Sequence, residues 1–424
     1  MWGRESFAEL PSLWWDTNRD GVVDERDTPL DVSSDVDDAA GFNLHIARQV
    51  GGKFGIGLSA YLPTTRLFRM ATFEPALPNY FMYDNRTQRY ALAAGVGGEV
   101  VKGVSIGASV DFVPRVTFGL AGTLDVSVTG DGSAQATDDL ITEVVVDIHE
   151  MQLDVIPSFA PILGVQLEVG RWFEPLDGLV IGATYRGSVG LPIDIDLDVQ
   201  ANIALEDIGD LDPYVLAAIV DAGASIYDHY VPATAAVGLA WRTEETFTAY
   251  VDLRWTAWAP MSDNLNIMRV TRADITSPLV NIDDAIVDGN THDVLFKNTV
   301  SAAGGTELKL PRWDFATRWK YARVAVRGGF AWVPTPLVAQ DERSALLDTN
   351  RVAFSLGAGL EFWDPLALVD APVRIDLFGQ YHVLAQGFIN RSADTPTAGY
   401  PIDADTLPFG GSIFVIGGQV GFDY

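Results

Sequence analysis

Cysteine is absent from the 424 residues, which removes disulfide frameworks, thiolate metal sites and cysteine nucleophiles. Basic residues are few. The 28 Lys and Arg stand against 57 Asp and Glu, a formal charge of −29, and so acidic a chain argues against a partner made of nucleic-acid phosphates. No uninterrupted apolar run reaches the roughly eighteen residues a membrane helix needs, and no basic-then-apolar secretory signal opens the chain. Histidine occurs five times, at His45, His149, His229, His292 and His382, never in a local Ser, Asp or metal-ligand motif. The glycines of Gly95-Val-Gly-Gly98 lack the Lys-Ser/Thr of a phosphate loop. With 57 acids, chance carboxylate pairs are expected. These features read as a protein that is not an enzyme.

What is present is a folded composition, with 48% hydrophobic residues, 11 Trp, 13 Tyr, 21 Phe and 40 Gly. Its dominant period is two, which sends alternate side chains to opposite faces of a strand. In the C-terminal segment Phe414, Ile416, Val420, Phe422 and Tyr424 share one face, while Gly417, Gln419, Gly421 and Asp423 share the other. Val373, Ile375, Leu377, Tyr381 and Val383 alternate in the same way with Arg374, Asp376, Phe378, Gln380 and His382. The pattern predicts strands near 42–50, 54–62, 87–99, 104–117, 151–173, 178–199, 231–241, 247–259, 306–320, 323–334, 351–363, 372–386 and 410–424. Many exceed the roughly five or six residues usual in soluble sheets and suit the about nine to eleven needed to cross a bilayer at a tilt.

The connections alternate in length. Short ones fall at Gly51-Gly52-Lys53, Val101-Lys102-Gly103, 174–178, 242–245, Tyr321-Ala322 and 364–371, and long ones at 63–86, 118–150, 200–230, 260–305, 335–350 and 387–409. Short turns at one end and long loops at the other describe an all-β, up-and-down antiparallel transmembrane barrel. Trp172-Phe173, Trp241 and Trp363 each stand just before a short turn, where an interfacial aromatic belt lies; core tryptophans at strand ends are the alternative. Thirteen strands is an odd number. With Tyr424 at the periplasmic end, strand 42–50 descends, so an ascending strand should precede it. Residues 1–41 offer no convincing alternating segment, which suggests that a first strand and an internal hatch are missing, or that one hairpin is miscounted. Residues 1–41 then form an extracellular acidic segment and 42–424 the barrel.

Leu179-Val-Ile-Gly-Ala-Thr-Tyr-Arg-Gly-Ser188, Val231-Pro-Ala-Thr-Ala-Ala-Val-Gly-Leu-Ala240, Tyr250-Val-Asp-Leu-Arg-Trp-Thr-Ala-Trp258, Ala325-Val-Arg-Gly-Gly-Phe-Ala-Trp-Val-Pro-Thr-Pro336 and Arg351-Val-Ala-Phe-Ser-Leu-Gly-Ala-Gly-Leu360, in that order and spacing, resemble the FadL/TodX family of outer-membrane transporters for long-chain fatty acids and other hydrophobic compounds. The resemblance implies about fourteen strands plugged by an N-terminal hatch in a Gram-negative outer membrane. It also implies capture of an apolar ligand at extracellular loops and sideways release through a kink in the third strand, here Phe54, Gly55 and Gly57; a plain wall strand is the alternative. Within loop 200–230, Asp212 and Pro213 suit a helix start, and Leu216, Ala217 and Val220 form a helical stripe closed by Gly223. Tyr214, Leu216, Ile219 and Val220 are candidate ligand contacts there, unless the helix is only a lid, and Phe73, Leu77, Tyr80 and Phe81 could line the same entrance. Implied partners are a hydrophobic small molecule, outer-membrane lipid and, through the C-terminal strand, the barrel-assembly machinery.

The lumen-facing set Asp252, Arg254, Arg327, Glu361, Arg374, Asp376 and His382 is expected to pair inside the barrel, although an arginine could instead meet a carboxylate head group. Separately, Asp16-Thr-Asn-Arg-Asp-Gly-Val-Val-Asp-Glu-Arg-Asp27 places oxygen ligands Asp16, Asn18, Asp20, Asp24 and Asp27 at calcium-loop positions 1, 3, 5, 9 and 12, the Val22 carbonyl at 7, and Gly21 at the sharp turn. Ca²⁺ is the one cofactor suggested and none is required; a solvated acidic loop is the alternative. The functional expectation is passive uptake of hydrophobic molecules. A general diffusion porin and a calcium-stabilised adhesion or structural barrel are the alternatives.

Overall fold

The computed structural model describes residues 2–7, 13–15, 28–30, 41–64, 90–129, 141–206, 214–243, 246–262, 269–270, 275–276, 281–282, 287–288, 295–315, 320–338, 347–363, 371–390 and 406–422. The main strands are β1 (Trp2–Phe7), β2 (Leu13–Trp15), β3 (Thr28–Leu30), β4 (Gly41–Val50), β5 (Phe54–Pro63), β6 (Ala91–Val101), β7 (Val104–Thr129), β8 (Ile141–Glu168), β9 (Leu179–Arg186), β10 (Val189–Glu206), β11 (Tyr214–Val231), β12 (Ala233–Thr243), β13 (Phe247–Ala257), β14 (Thr299–Lys309), β15 (Tyr321–Val333), β16 (Arg351–Trp363), β17 (Pro372–Asn390) and β18 (Thr406–Phe422). Backbone pairing joins them antiparallel in the order β4-β5-β6-β7-β8-β9-β12-β13-β14-β15-β16-β17-β18-β1. Among the described residues that wall has fourteen strands, all in one sheet. No helix of the described residues is long and apolar enough to cross a membrane.

Twelve of the thirteen strands read from the alternation are found, with shifted ends; the one expected at 178–199 is two, β9 ending at Arg186 and β10 starting at Val189 with different partners. The strand expected at 306–320 occupies Thr299–Lys309. Its outward row Val300, Ala302, Gly304, Thr306, Leu308 is too small and mixed to signal a greasy face, and only its pairing with Phe247–Thr256 defines it. The turn expected at Tyr321-Ala322 lies before β15, which begins at Tyr321. Several loops are shorter than expected because β7, β8, β10, β11, β17 and β18 run into them.

Two larger corrections concern missed strands. The ascending first strand that parity requires is Trp2–Phe7, antiparallel to β18 from Trp2↔Ile416 to Phe7↔Gly411. Six residues reading Trp-Gly-Arg-Glu-Ser-Phe carry no clean alternation, so only the partner reveals them. Residues 2–7 therefore belong to the wall ladder rather than to a loop segment. The helix expected at 212–224 is a strand, Tyr214–Val231, paired with β10 from Leu205↔Tyr214 to Val189↔Val231. Val215, Ile219, Val220 and Ile226 are β-branched and suit it, and a long ladder outweighs weak helix propensity. Beyond Phe118, β7 pairs on one side with β8 and on the other, in parallel, with β10, so β8-β7-β10-β11 form a sheet above the end that carries the long connections.

The opposite end is closed by tight turns. Gly103 and Gly178 adopt φ of +80° and +81°, a left-handed conformation natural to glycine, and a Cβ on Gly178 would also collide with the Arg242 carbonyl.

Candidate functional site

The wall is greasy outside and polar or bare inside. Phe42, Ile56, Leu58, Val96, Ile106, Leu163, Val251, Leu356 and Leu377 are all exposed, Leu356 at 74%. Among the described residues the buried hydrophobics are few and scattered, with small clusters at Met261, Phe296 and Leu337 and at Val113, Ala160 and Val189. A water-soluble chain cannot present whole strand faces of this kind; a strand set in acyl chains must. The fold therefore defines a transmembrane β-barrel.

Inside, β14 to β17 carry an ion network. Arg327 reaches Glu307 through Nε and Asp376 through Nη1, the latter at 2.6 Å, bridging three strands. Glu361 accepts from Tyr321 Oη at 3.0 Å and from Arg374 at 3.2 Å. Gly359 makes the room: a Cβ there would meet the Asp376 carboxylate and both terminal nitrogens of Arg327. On the far side Arg186 pairs with Asp111 at 2.7 Å. Thus Arg327, Glu361, Arg374 and Asp376 of the expected lumen set pair with one another or with lumen neighbours, and His382 Nε2 bonds to Gln380 at 3.2 Å. Asp252 and Arg254 sit in the same inward register but form no ion pair among the described residues.

The wall facing that network carries one row with no side chains. Gly55, Gly97, Gly107 and Gly164 lie side by side across β5, β6, β7 and β8. Aromatic rings lie over other inward glycines, Tyr250 against Gly305 and Phe378 against Gly417. The lumen thus sets a bare glycine row, with Ser59, Ser109 and Asp111 in the rows beside it, opposite a paired polar surface.

No kink is seen at the expected opening strand. β5 pairs without a register shift with β4 from Gly41↔Pro63 to Val50↔Phe54, and with β6 from Phe54↔Gly98 to Tyr61↔Ala91. Phe54, Gly55 and Gly57 are wall residues in this structure, because a glycine keeps its N–H and C=O and so keeps its ladder. A Cβ at Gly55 or Gly57 would approach other atoms no closer than 3.7 Å.

At the end with the long connections Met261, Phe296 and Leu337 form a buried cluster flanked by Tyr230 and Trp258. Phe296 and Leu337 form an isolated bridge, and Ser262 Oγ accepts the Phe296 N–H at 2.8 Å. Sequence reading missed this knot because its residues lie far apart in two connections, although Trp258-Ala-Pro-Met261 and Trp332-Val-Pro-Thr-Pro-Leu337 are unusually apolar for loops. Beside it Thr335 donates to Asp348 at 2.7 Å, and burial pushes the Asp348 carboxyl above its ordinary range, against the opposing pull of Thr335, the Thr349 backbone and Arg351. A raised carboxyl favours the folded loop at low pH, and that advantage disappears as pH rises through the raised value. Hydrogen exchange at the Leu337 N–H, which donates to Thr335, is therefore expected to slow as pH falls towards about 4, once corrected for intrinsic exchange, and Asp348→Asn is expected to abolish that dependence.

At the opposite end the tryptophans behave as a belt. Trp172 and Trp241 are half exposed and donate their indole N–H groups to the turn carbonyls of Lys102 and Asp177, at 3.1 and 3.2 Å. Lys320 lies 3.6 Å above the Trp363 ring. A ring at the edge of the acyl region with its N–H satisfied at the polar turn is the interfacial arrangement.

Of the proposed ligand contacts, Phe73, Leu77, Tyr80 and Phe81 lie outside the described residues. Tyr214, Leu216, Ile219 and Val220 fall on β11, a strand in place of the helix expected there. The calcium-type residues Asp16, Asn18, Asp20, Val22, Asp24 and Asp27 also lie outside the described residues, but the pair Trp15↔Thr28 of the β2–β3 hairpin brackets them.

An inverted barrel with a lumen of this kind is an outer-membrane transport fold. Residues 20–406 match the family model described as outer membrane protein transport protein (OMPP1/FadL/TodX), and the chain belongs to that family. It is an outer-membrane protein of Gram-negative bacteria with the family's hydrophobic-compound transporter fold. Among solved structures it is similar to a Pseudomonas aeruginosa FadL homologue, at TM-score 0.50 and 13% identity over 99% of this chain and 88% of the other. A second similar structure is the P. putida toluene transporter TodX, at TM-score 0.42 and 13% identity over 100% and 89%. No curated protein matches the chain.

Proposed function

We propose that this barrel admits hydrophobic small molecules, long-chain fatty acids or hydrocarbons, by passive diffusion, with capture at the extracellular loops and release sideways into the membrane. The carrying observation is the lumen. Its four-glycine row Gly55, Gly97, Gly107, Gly164 offers an apolar solute a strip without side chains, while the facing ions of β14 to β17 are paired with one another. A general porin would instead hold unpaired charges towards open water. The family match supports the same reading. The expected result in planar bilayers is near silence, together with uptake of a labelled fatty acid or monoaromatic hydrocarbon that a deletion strain loses. Steady ohmic conductance would favour a porin and end the proposal.

Release at β5 has its own test. Because space surrounds both Cβ positions, Gly55→Val/Gly57→Val is expected to fold normally and to slow uptake severalfold if β5 opens during transport. Unchanged uptake places the exit elsewhere.

A calcium ion at 16–27 belongs to the same reading, as a brace for the extracellular segment. Calorimetry is expected to give one weak Ca²⁺ site that Asp16→Ala or Asp20→Ala abolishes; heat identical to a buffer blank would dismiss it.

A further inference from the structure

One row of outward residues crosses five wall strands in register: Leu163 on β8, Tyr185 on β9, Ala235 on β12, Trp255 on β13 and Val300 on β14. The sizes run large, ring, small, ring, large, so Ala235 is a notch between two rings. Their backbones lie two strand spacings apart, about 9–10 Å. In the next row the notch moves one strand over to Ala183, which faces Val165 and Val237. The two notches make an oblique groove of about 500 Å³, almost wholly apolar. It cuts down to the wall backbone, because Gly164 and Ala236, from the inward rows, also line it.

The groove lies in the outer half of the bilayer. Ala235 and Trp255 each stand two residues from the outer ends of β12 and β13, Ala233 and Ala257. Just above it the β8–β9 ladder stops at Ile162↔Arg186, followed by one bond from Gly187 N–H to Pro161 O at 2.8 Å. Its surface is continuous with the greasy outer face already assigned to lipid, and water in so apolar a slot would have no partner.

We propose that this groove is a binding site for one acyl chain of an outer-leaflet membrane lipid, seated between the Tyr185 and Trp255 rings against Ala235 and Ala183. The bound chain covers the place where the wall ladder ends. This is separate from the transported solute, which is handled on the inner face, and it stands or falls independently of the transport reading.

Brominated acyl chains quench tryptophans that they touch. The protein is reconstituted in phosphatidylcholine vesicles containing a small fraction of a dibrominated-acyl phosphatidylcholine, and the Trp255 contribution is taken as the difference from Trp255→Phe. Occupancy of the groove predicts quenching of Trp255 severalfold above that of random lipid contact. Ala235→Leu, which fills the notch without touching the ladder, should return it to the random value. Ala94→Leu, outward on β6 opposite Leu58, should leave it unchanged. Random-level quenching in the wild type, or equal quenching in Ala235→Leu, overturns the proposal. So does recovery of Trp255 fluorescence on adding free hexadecane, which would make an unattached hydrocarbon the occupant. Uptake of a labelled fatty acid, measured on the same variants, reports the transport reading separately.

Discussion

Val251→Arg is expected to destabilise the barrel by about 2–4 kcal/mol, whereas Thr184→Lys changes it by less than about 1 kcal/mol. Val251 is the middle residue of the outward row Phe247, Ala249, Val251, Leu253, Trp255, so its side chain sits near the bilayer centre and is half exposed to it. A guanidinium there cannot reach either interface without deforming the wall or thinning the lipid. Thr184 faces inward in register with Gly164 and Ala236, where a cation meets water and the lumen's carboxylates. Arg48 agrees with this logic: it shares the outward register of β4, but only two residues from the inner turn, close enough to snorkel. Equilibrium urea unfolding in detergent or lipid, followed by tryptophan fluorescence, gives both values. Equal effects at the two positions would mean that the assignment of faces is wrong.

The second large effect is expected at Arg327. Replacement by Met leaves Glu307 and Asp376 facing each other without their shared cation. Removing one partner from a fully buried pair typically destabilises by about 3–5 kcal/mol. Arg327 keeps about one third of its side chain accessible (33%), so solvent screening reduces the expected loss to about 2 kcal/mol. Lys restores the charge but not the fork that reaches two strands and should recover less than half of the loss. Adding Asp376→Asn to Arg327→Met should recover part of it by removing one of the stranded charges. If Arg327→Met unfolds at the wild-type urea midpoint, the network is incidental to the wall.

Both effects depend on which side of each strand faces lipid, and that was legible in the chain. Phe414, Ile416 and Val420 alternate with Gly417, Gln419 and Gly421, and the structure places the first set outside and the second inside. The tryptophans before short turns were equally readable, since proximity to a turn is local information. The odd strand count even required an ascending strand ahead of Gly41, and Trp2–Phe7 meets that requirement. Its location was not readable, because six weakly patterned residues become a strand only when β18 supplies the hydrogen bonds.

Other features lie between segments far apart in the chain. A capped, apolar stretch at 212–224 satisfies helix rules locally, and only β10 makes it a strand. Arg327 meets Glu307 and Asp376 because β14, β15 and β17 present them to one another across the lumen, not because of spacing along the chain. The apolar knot of Met261, Phe296 and Leu337 joins the two ends of one long connection to a second, and both connections read as loops.

The sequence by itself therefore determined that this is a membrane barrel, where most of its strands run, which end carries the turns and to which family it belongs. A two-residue period and a turn are local properties that survive without knowledge of the partner. Only the tertiary structure decided the first strand, the partners within the ion network, the unbroken ladder at β5 and the oblique groove between Tyr185 and Trp255. Those depend on register, the offset at which one strand meets another, and no single strand encodes that offset alone.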